Sequence, residues 1–395
     1  MKRVLMVSYF APPTQNAEAI LVWKTLRVLS HLHRITLVTN APQFQQGDPD
    51  MRIPSGVDVH AHRSVTFRSA FSGKVAERLI GKLEDENLLW ALRVPKIEKS
   101  DFDVLYSRSH PGASHILAAS LWKRTRLPWV AQFSDPWSAN PYHSHHTIIR
   151  KLRDQEHERF VIEHADQLIF PTVEIQEIYE KAYPLKSVKS RSIVLPHHVS
   201  EDLYSVRNAM VPTENGKMLL SYFGDFYGLR SPAPLLDALR SIHARNPDKL
   251  SRVAIGLFGN LEKKFAPLLE HLPVRVHRGR YTYLESLSAM KKSHGLLLID
   301  APNDTGVNPF LASKLIDYIG AKRPILGITE ERGTAANLLR QGGQYVASPR
   351  AVDKIVYGLE QLIESGKVTA RMERLAESFT SEKIVGELAK LLDKA

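Results

Sequence analysis

Short apolar runs alternate with stretches of helical periodicity along nearly the whole chain, and this alternation limits the possible folds more than any other feature. The apolar runs predict strands at Val4–Ser8, Ile35–Thr39, Val57–Ala61, Val104–Ser107, Trp129–Phe133, Gln167–Phe170, Met218–Phe223, Val253–Phe258, Val274–His277, Leu296–Ile299 and Ile325–Ile328. Helical periodicity is clearest at Ala17–Leu32, Ala113–Lys123, Ile148–Ala165, Glu174–Tyr183, Ala233–Ala244, Leu284–Lys292, Ser313–Gly320, Ala335–Gln341 and Val352–Glu364. Strands that alternate with helices form parallel sheets with helices on both faces. The predicted fold class is therefore α/β, with two Rossmann-like doubly wound parallel-sheet domains facing a cleft.

The alternation pauses after the first set of strands, and this pause predicts where the domains join. The chain has 395 residues, which is too many for one core and suits two α/β domains. The pause begins at Ile193–His198 and the pattern restarts at Met218. We predict a first domain over residues 1–197, a second over 198–375, and a C-terminal segment over 376–395 that contains an amphipathic helix.

Composition narrows the class of protein. Hydrophobic residues make up 43% and charged residues 24% of the chain, which is typical of a globular protein. No apolar run approaches the roughly 18 residues of a membrane span, and the apolar N-terminus is too short for a signal peptide, so a cytoplasmic protein is predicted. The absence of cysteine excludes disulfides, thiolate metal sites and a cysteine nucleophile.

The net charge of +11 predicts an anionic partner, which leaves nucleic acid, an anionic membrane surface or phosphorylated ligands. The basic residues are spread along the chain, and the sequence has no zinc-finger spacing, basic leucine-zipper region or aromatic RNA-binding signature. We therefore expect no nucleic-acid partner.

Ligand sites in open α/β sheets lie beyond the carboxyl ends of the strands, so the loops there are the candidates for chemistry. The loop after the first strand, Tyr9–Glu18, contains two prolines and leads into a helix near Ala17. Free amides at such a helix start bind anions or polar sugar groups, and Asn16 and Glu18 are the candidates for contact with such a group. The alternative is an ordinary turn between a strand and a helix.

Three further residues of the first half are candidates for the chemistry. Asp135 follows a buried strand, where a carboxylate is costly without a partner or a function, and Trp137 adds a broad apolar face. The alternative for Asp135 is a turn cap. His110 and His115 flank the turn after Val104–Ser107, where either could contact a sugar hydroxyl or a phosphate, although a lone histidine is more often structural.

The sequence does not predict a metal site. His143, His145 and His146 stand close together, but no carboxylate with ligand spacing is near them, so a solvated loop is the better interpretation. No Asp-x-Asp pair follows a predicted strand. Asp300 and Asp304 are isolated and are interpreted as loop residues.

In the second half, the segment Gly224–Pro232 follows a strand and opens a helix. Its glycines permit a close approach of the backbone, and Ser231 with Pro232 is a favourable helix start. Arg230 stands beside that helix start, where a phosphate would gain both the helix dipole and a cation. The segment predicts a diphosphate clamp, although the Gly-Lys-Ser/Thr run of a Walker loop is absent.

The strongest candidate is the segment Gly306–Tyr318, a loop rich in Gly, Asn and Pro that leads into a helix. The loop residue Asn308 and the helix start at Ser313 are candidate ligand contacts. Lys314 lies in the first helical turn, where a cation opposes the helix dipole unless an anion such as a diphosphate is bound. Asp317 lies on the same face, within reach of a ribose hydroxyl. The alternative is a surface pair between Lys314 and Asp317.

These segments resemble bacterial family-four glycosyltransferases, which have the GT-B fold. The matching segments are Tyr9–Pro13, Phe102–Leu105, Ser114–His115, Pro128–Trp137, Ala165–Ile169, Leu195–Val199, Gly224–Pro232 and Ser313–Tyr318. The segments Phe102–Leu105 and Ser114–His115, followed by Pro128–Trp137, are similar to a branch that acts on surface polysaccharides. The sequence departs from the family at three places. Gln15–Ala17 stands where the family often has a glycine pair, and His198 replaces a hinge glycine. Pro309 replaces the first of two glutamates that the family spaces seven residues apart, while Asp317 fits the second.

The resemblance implies retaining transfer of a sugar from a nucleotide diphosphate-sugar to a glycan or lipid-linked acceptor. The second domain would bind this donor through Gly224, Arg230, Asn308, Ser313, Lys314 and Asp317. The first domain would hold the acceptor, with Asn16 and Glu18 as the candidate acceptor-binding residues. Asp135 and His115 would act as catalytic residues. The final helix would cross back to the first domain. The donor is a co-substrate, and no further cofactor is implied.

Two rival interpretations and one surface prediction remain. A nucleotide-sugar epimerase of the same fold would need no acceptor, and a degenerate transferase would only bind a partner, an idea that Pro309 favours slightly. The stretch Arg63–Lys99 mixes basic residues with Phe67, Phe71, Leu79, Ile80, Leu88, Leu89 and Trp90. This mixture predicts contact with an anionic membrane at its inner face, or alternatively a helix packed on the first domain.

Overall fold

The structure is a computed structural model that describes residues 1–41, 47–64, 87–140, 147–212 and 216–395. These residues form two compact units. The first comprises residues 1–197 together with 381–395, and the second comprises residues 198–380. Within the described residues, no helix is long and apolar enough to cross a membrane.

The first unit is built on a parallel sheet of seven described strands in the order β3-β2-β1-β4-β5-β6-β7. The strands are β1 (Arg3–Val7), β2 (Arg34–Asn40), β3 (Val57–His62), β4 (Val104–Ser109), β5 (Trp129–Phe133), β6 (Gln167–Phe170) and β7 (Ser192–Val194). The predicted strands are present, and β7 is the one that periodicity missed, because three half-buried residues at a sheet edge carry almost no pattern.

Helices cover this sheet, and three of them begin at a side-chain cap. They are α1 (Ala17–Leu32), α2 (Leu88–Ala91), α3 (Ala113–Thr125), α4 (Ile148–His164) and α5 (Val173–Ala182). The side chains of Asn16, Thr147 and Thr172 accept backbone amides of the first turns of α1, α4 and α5. Such a cap satisfies one of the amides that a helix start leaves without a partner.

The second unit repeats the arrangement with six described parallel strands in the order β10-β9-β8-β11-β13-β15. They are β8 (Met218–Phe223), β9 (Val253–Phe258), β10 (Arg275–Gly279), β11 (Gly295–Ile299), β13 (Ile325–Ile328) and β15 (Tyr345–Ala347). A separate two-stranded parallel ladder joins β12 (Val307–Asn308) to β14 (Arg332–Gly333). The short edge strand β15 and the two-residue strands were not predicted.

The helices of the second unit alternate with its strands. They are α6 (Ala233–Arg245), α7 (Tyr283–Lys292), α8 (Ser313–Ala321), α9 (Thr334–Gln341), α10 (Val352–Ser365) and α11 (Ala370–Ser378). The start of α7 is a capping box, in which Thr282 accepts the amide of Glu285 and the Glu285 carboxylate accepts the amide of Thr282.

The last helix, α12 (Ser381–Lys394), belongs to the first unit. Its apolar residues Val385, Leu388, Ala389 and Leu392 are buried in the same core as strand β1 and helix α1. The chain therefore returns to its first unit because the amphipathic stripe of α12 is buried there.

Candidate functional site

The ammonium of Lys314 lies at the carboxyl end of strand β8. Lys314 is the second residue of α8, and its Nζ donates to the hydroxyl of Tyr222 at 2.8 Å. The same ammonium lies 4.2 Å from the centroid of the Tyr222 ring. Among the described residues, no carboxylate lies within ion-pair distance of this Nζ, so the alternative pair with Asp317 is not formed.

The surroundings of Lys314 weaken its charge. The pKa of the Lys314 ammonium is lowered to about 7, chiefly by loss of hydration and also by the nearby Arg230, while Asp300 and Asp225 partly oppose the change. The side chain is half-buried. Lys314 and Arg230 repel each other because they are close together, and a bound anionic ligand would stabilise both charges.

Glycine is required where Lys314 crosses the loop after β8. Gly224 has φ of +137°, and a Cβ there would lie 2.7 Å from the Lys314 Nζ. Gly259, after the neighbouring strand β9, has φ of +150°, and a Cβ there would lie 2.1 Å from the carbonyl oxygen of Gly224. A side chain at position 224 would therefore be strained and would meet the Lys314 ammonium, while the donor contact of Gly224 stays a prediction.

Arg230 stands just before helix α6, as its position in the sequence indicates. Its guanidinium lies 5.3 Å from the centroid of the Tyr227 ring, and its backbone amide donates to the Tyr227 carbonyl at 2.9 Å. The hydroxyl of Ser231 accepts the amide of Ala233 at 3.1 Å and so supports the helix start. Arg230 is half-buried and close enough to Lys314 to affect the pKa of Lys314.

Asn308 and Asp317 point their polar groups into the protein. The amide nitrogen of Asn308 donates to Asp300 at 3.0 Å and to Thr329 at 3.2 Å, and its oxygen accepts the amide of Phe310 at 3.0 Å. Asn308 is therefore a buried tie between the ends of β11 and β13. The predicted donor contact of this side chain is not visible in this arrangement, because its amide is used within the protein.

Asp317 is also buried, and one of its carboxylate oxygens accepts the hydroxyl of Tyr283 at 3.1 Å. Its backbone carbonyl accepts the hydroxyl of Tyr204 at 2.5 Å. Burial raises the pKa of both tyrosines well above the ordinary value, and the charge of Asp317 adds to the increase. Ser313, in contrast, is the half-buried first residue of α8, where free backbone amides remain for a ligand.

In the first unit, Glu18 forms a buried ion pair. Its carboxylate accepts from the guanidinium of Arg108, and its other oxygen accepts the hydroxyl of Ser134 at 2.7 Å. Glu18 is only 7% exposed. Burial opposes the charge of Arg108, but Glu18 outweighs it, so the pKa of Arg108 is raised. The structure therefore does not support the predicted acceptor contact of Glu18, because its oxygens are used inside the unit.

Asn16 acts as the cap of α1, and its side-chain oxygen accepts the amide of Ala19 at 2.8 Å. This use of its side chain corresponds to the ordinary strand-to-helix turn that the sequence left open. Asn16 remains half-buried at the carboxyl edge of β1.

His115 lies in the core and not at the surface. It is fully buried, its Nδ1 is 2.8 Å from the hydroxyl oxygen of Ser107, and its ring packs 4.5 Å from that of Phe133. Burial lowers the pKa of His115 to about 3, so the imidazole is neutral at physiological pH. The predicted catalytic contact of His115 is corrected on this ground, because a side chain without exposed surface cannot touch a substrate.

Asp135 is half-buried in the loop after β5, at the carboxyl edge where the sequence placed it. Trp137 fixes this loop to the rest of the unit. Its backbone amide donates to the hydroxyl of Tyr179 at 3.1 Å, and its indole donates to the carboxylate of Asp154 at 3.3 Å. A Cβ on Gly112 would lie 2.2 Å from the Trp137 ring. Trp137 is therefore an anchor for the Asp135 loop, and it is 6% exposed.

Two predictions fall wholly or partly outside the described residues. His143, His145 and His146 lie in the segment 141–146, which the structure does not describe. Phe67, Phe71, Leu79 and Ile80 of the predicted membrane stretch lie in the segment 65–86, which it does not describe either. In the described end of that stretch, Leu89 and Trp90 are buried, whereas Leu92 is 60% exposed. Within the described residues, no group of three or more potential ligands is arranged for a metal ion.

Sequence reasoning missed several polar residues at the carboxyl edge of the second unit. Tyr222 holds the Lys314 ammonium, and Asp300 and Glu330 are buried acids just after β11 and β13. Glu330 accepts from Arg350 at 2.5 Å and from the amide of Asn303 at 2.9 Å. Their place directly after buried strands was the available signal, as it was for Asp135.

Solved structures resemble this chain over its full length. HepE of Anabaena, in complex with UDP and glucose, matches with a TM-score of 0.68 at 13% identity, covering 100% of both chains. Sucrose-phosphate synthase from Thermosynechococcus elongatus matches with a TM-score of 0.69 at 12% identity, over 100% of this chain and 99% of its own. The α,α-trehalose 6-phosphate synthase of Burkholderia multivorans matches with a TM-score of 0.62 at 12% identity, over 100% and 97%.

No protein-family model and no curated protein matches the sequence. At the identities found, the likeness is one of fold. The two parallel-sheet α/β units have the GT-B fold, which is the fold of glycosyltransferases that use nucleotide-sugars.

Proposed function

We propose that this protein is a glycosyltransferase that takes its sugar from a nucleotide diphosphate-sugar bound by the second unit. The observation that carries the proposal is the pair Lys314 and Arg230 at the carboxyl edge of the second sheet, where desolvation and mutual repulsion lower the pKa of Lys314. The negative charge of a bound diphosphate would offset both the lost hydration and the repulsion. The fold and the sequence resemblance supply the class of ligand.

The chemistry follows from where charge develops. As the bond between sugar and diphosphate breaks, the sugar becomes oxocarbenium-like and negative charge grows on the leaving diphosphate. Lys314, Arg230 and the free amides at the start of α8 would stabilise that charge without a metal ion. We propose retention of configuration, as in the family that the sequence resembles.

Asp135 is the proposed residue for orienting an acceptor hydroxyl. Its half-buried carboxylate lies in a loop that Trp137 anchors, and fixed loops of this kind hold a reacting group in place. Contacts with the donor sugar itself are expected from backbone groups near Pro309, because that residue offers no carboxylate.

The proposed acceptor is a glycan or a lipid-linked glycan in the synthesis of lipopolysaccharide, capsule or exopolysaccharide. The support is the likeness of Pro128–Trp137 to that branch of family-four enzymes, together with the net charge of +11. We therefore propose that the protein works in the cytoplasm, at the inner face of an anionic membrane.

Calorimetric titration with nucleoside diphosphates tests the proposal. UDP, GDP and ADP are titrated in turn, and one of them should bind to the wild type and far more weakly to Lys314→Ala. Lys354→Ala is the matched control, because Lys354 is a surface lysine of the second unit paired with Glu331 at 2.6 Å. Absence of binding by all three nucleotides would overturn the proposal and favour a protein that only binds a partner.

Product analysis then separates transfer from epimerisation. The protein is incubated with the sugar derivative of the nucleotide that binds, with and without a glycan acceptor extract. A transferase consumes the donor only with an acceptor and forms a new glycosidic bond. Conversion of the nucleotide-sugar without an acceptor would instead identify an epimerase.

A further inference from the structure

The first turns of helix α4 present apolar side chains to solvent. Ile148 is 79% exposed, Ile149 is 55% exposed and Leu152 is 59% exposed. Ile148 and Leu152 are one helical turn apart, and Ile149 lies three residues before Leu152, so the three side chains share one face. Single exposed apolar residues are common at protein surfaces, whereas three neighbours on one helix face are not.

Basic residues border this face on both sides. At about 100° per residue, Lys151 and Arg153 lie on opposite flanks of the line through Ile148 and Leu152, and both are exposed. Arg153 also contacts Glu156 at 2.9 Å, which reduces but does not cancel its charge toward a partner. An apolar centre with cationic flanks is the pattern of helices that lie in a membrane interface.

Other residues of α4 hold the helix on the first unit. Val161 and Ile162 are buried in the core, and Asp154 accepts the indole of Trp137. The buried carboxylate of Glu158 accepts the hydroxyl of Tyr183 at 3.0 Å. These contacts hold α4 on the first unit without the exposed apolar face. A planar partner would therefore meet a helix that is already held in place.

The location of this face links it to the proposed acceptor site. Helix α4 follows strand β5, so it begins at the carboxyl edge of the first sheet, the edge at which Asp135 lies. The neighbouring helix α5 also begins at this edge, and its first residue, Val173, is 52% exposed. Leu185, another exposed apolar residue, lies instead in the connection from α5 to β7, which leads to the opposite edge.

We propose that the face formed by Ile148, Ile149, Lys151, Leu152 and Arg153 docks on an anionic lipid surface. A second copy of the chain fits less well, because the three apolar side chains expose only about as much area as two whole side chains, whereas a stable protein interface buries roughly 800 Å² per partner. A lipid surface needs no such area, since apolar insertion and charge act together. The net charge of +11 matches an anionic surface.

Vesicle sedimentation with the full chain tests the docking face. Vesicles of phosphatidylglycerol and phosphatidylcholine should bind the wild type, and vesicles of phosphatidylcholine alone should bind it at least about tenfold less. Ile148→Ser with Leu152→Ser should reduce binding to the anionic vesicles by about tenfold or more. The matched apolar control is Leu185→Ser, which removes an exposed leucine at the other edge and should bind as the wild type does.

Charge and insertion are tested separately. Lys151→Gln with Arg153→Gln should weaken binding to anionic vesicles, while the control pair Arg124→Gln with Lys189→Gln, also exposed, should change it less. Since the chain has no cysteine, Ile149→Cys carries an environment-sensitive dye at one place. Its emission should shift to the blue with anionic vesicles, and that of Leu185→Cys should not.

Equal binding of the apolar double variant and the wild type would overturn the proposal, as would an equal dye shift at positions 149 and 185. A dimer in size-exclusion chromatography that the same double variant dissolves would overturn it in favour of a second copy. This inference deepens the proposed function, because lipid docking at this edge assigns the acceptor to the lipid-linked class. Vesicle binding is measured without any nucleotide, so its failure would leave the donor proposal to its own test.

Discussion

The carboxyl edges of the two sheets handle their charges in opposite ways. In the first unit, Glu18 and Arg108 neutralise each other in a buried pair that Ser134 completes. In the second unit, Lys314 contacts only the neutral hydroxyl and ring of Tyr222 among the contacts described, and the nearby cation Arg230 lowers its pKa. The pair in the first unit is satisfied within the protein, whereas the described contacts of Lys314 include no anion.

This difference teaches where to look for a ligand in a repeated fold. Both units place charged residues after the same kind of strand, so position alone does not separate structure from function. What separates them is whether the charges already have partners. A buried pair stabilises or specifies the fold, while a desolvated cation such as Lys314, which has no ion-pair partner among the described residues, predicts an anionic ligand.

The largest expected effect comes from breaking the buried pair. Arg108→Met should lower the free energy of unfolding by about 3–5 kcal/mol, because Glu18 would stay buried without its cation. Chemical denaturation measures this change. The double substitution Glu18→Gln with Arg108→Met should recover a large part of it, and a double variant no more stable than Arg108→Met would contradict the comparison.

Removing Lys314 should affect activity and spare stability. If both cations face the donor diphosphate, Lys314→Ala should cost about 2–4 kcal/mol of transition-state stabilisation, or roughly a 30- to 1,000-fold loss in rate. The thermal midpoint should not fall, since the lowered pKa of Lys314 means that the folded state disfavours this charge. Steady-state kinetics and thermal melting check both parts, with Lys354→Ala as the control, and a normal turnover rate for Lys314→Ala would remove the proposed clamp.

Arg230 offers a finer version of the same test. Arg230→Ala should lose activity in the same range as Lys314→Ala, and Arg230→Lys should recover only part of it, because lysine cannot grip a phosphate with two parallel hydrogen bonds. A full recovery would indicate that Arg230 acts only as a point charge. The turnover rates of the three variants, measured on folded protein, decide this.

The buried histidine should make the first unit sensitive to acid. The pKa of His115 is about 3 in the folded protein and near 6.5 when unfolded, so the unfolded chain binds more protons as the pH falls below 6.5. Stability is complete above that pH and is lost below it by about 1.4 kcal/mol per pH unit, or roughly 2 kcal/mol at pH 5. Denaturation from pH 7 to 5 should show a smaller slope for His115→Gln, and an unchanged slope would contradict the placement of His115.

Affinity for the donor should fall as the pH rises. Lys314 has a lowered pKa of about 7, so without ligand its ammonium loses its proton above pH 7, and binding of an anion must restore it. Affinity for a nucleotide-sugar should fall by at most about tenfold per pH unit between pH 7 and 9. Lys314→Arg should remove this dependence because guanidinium keeps its charge, and an equal dependence in that variant would assign it to another group.

The smallest expected effect is that of chelation. Because cations and helix amides meet the charge of the leaving group in this proposal, EDTA should leave the transfer rate unchanged. A large loss that Mg²⁺ or Mn²⁺ restores would show that a metal ion shares the work of Lys314 and Arg230. Initial rates with and without the chelator are sufficient.

Much of the fold could be predicted because its signals are local. The periodicity of Ala17–Leu32 and the apolar run Val253–Phe258 each depend on a few consecutive residues, and the structure has both elements at those bounds. The strand Tyr345–Ala347 was missed because three residues at a sheet edge show no period. The helix Ala370–Ser378 was also missed. Thr369, which caps it by accepting the amide of Met372, is a residue type that signals a helix start in the sequence.

The candidate site was only partly predictable. Lys314, Arg230 and Asp135 could be selected from their places after strands or at helix starts, and the structure puts each of them at a carboxyl edge. His115 and Glu18 had equally suggestive places, yet both are buried with internal partners. Their burial depends on which distant strand and helix pack beside them, and a single sequence does not display that.

By itself, the sequence determined the β/α alternation, the absence of thiol chemistry, the basic character and the glycine-rich loops, since each of these is a property of neighbouring residues or of composition. Only the tertiary structure decided which charges meet. Lys314 reaches Tyr222 across 92 positions, and Arg108 reaches Glu18 across 90. Strand order and register bring such residues together, and they result from the packing of the whole unit, so the distinction between a satisfied charge and an available one arises only when the chain is folded.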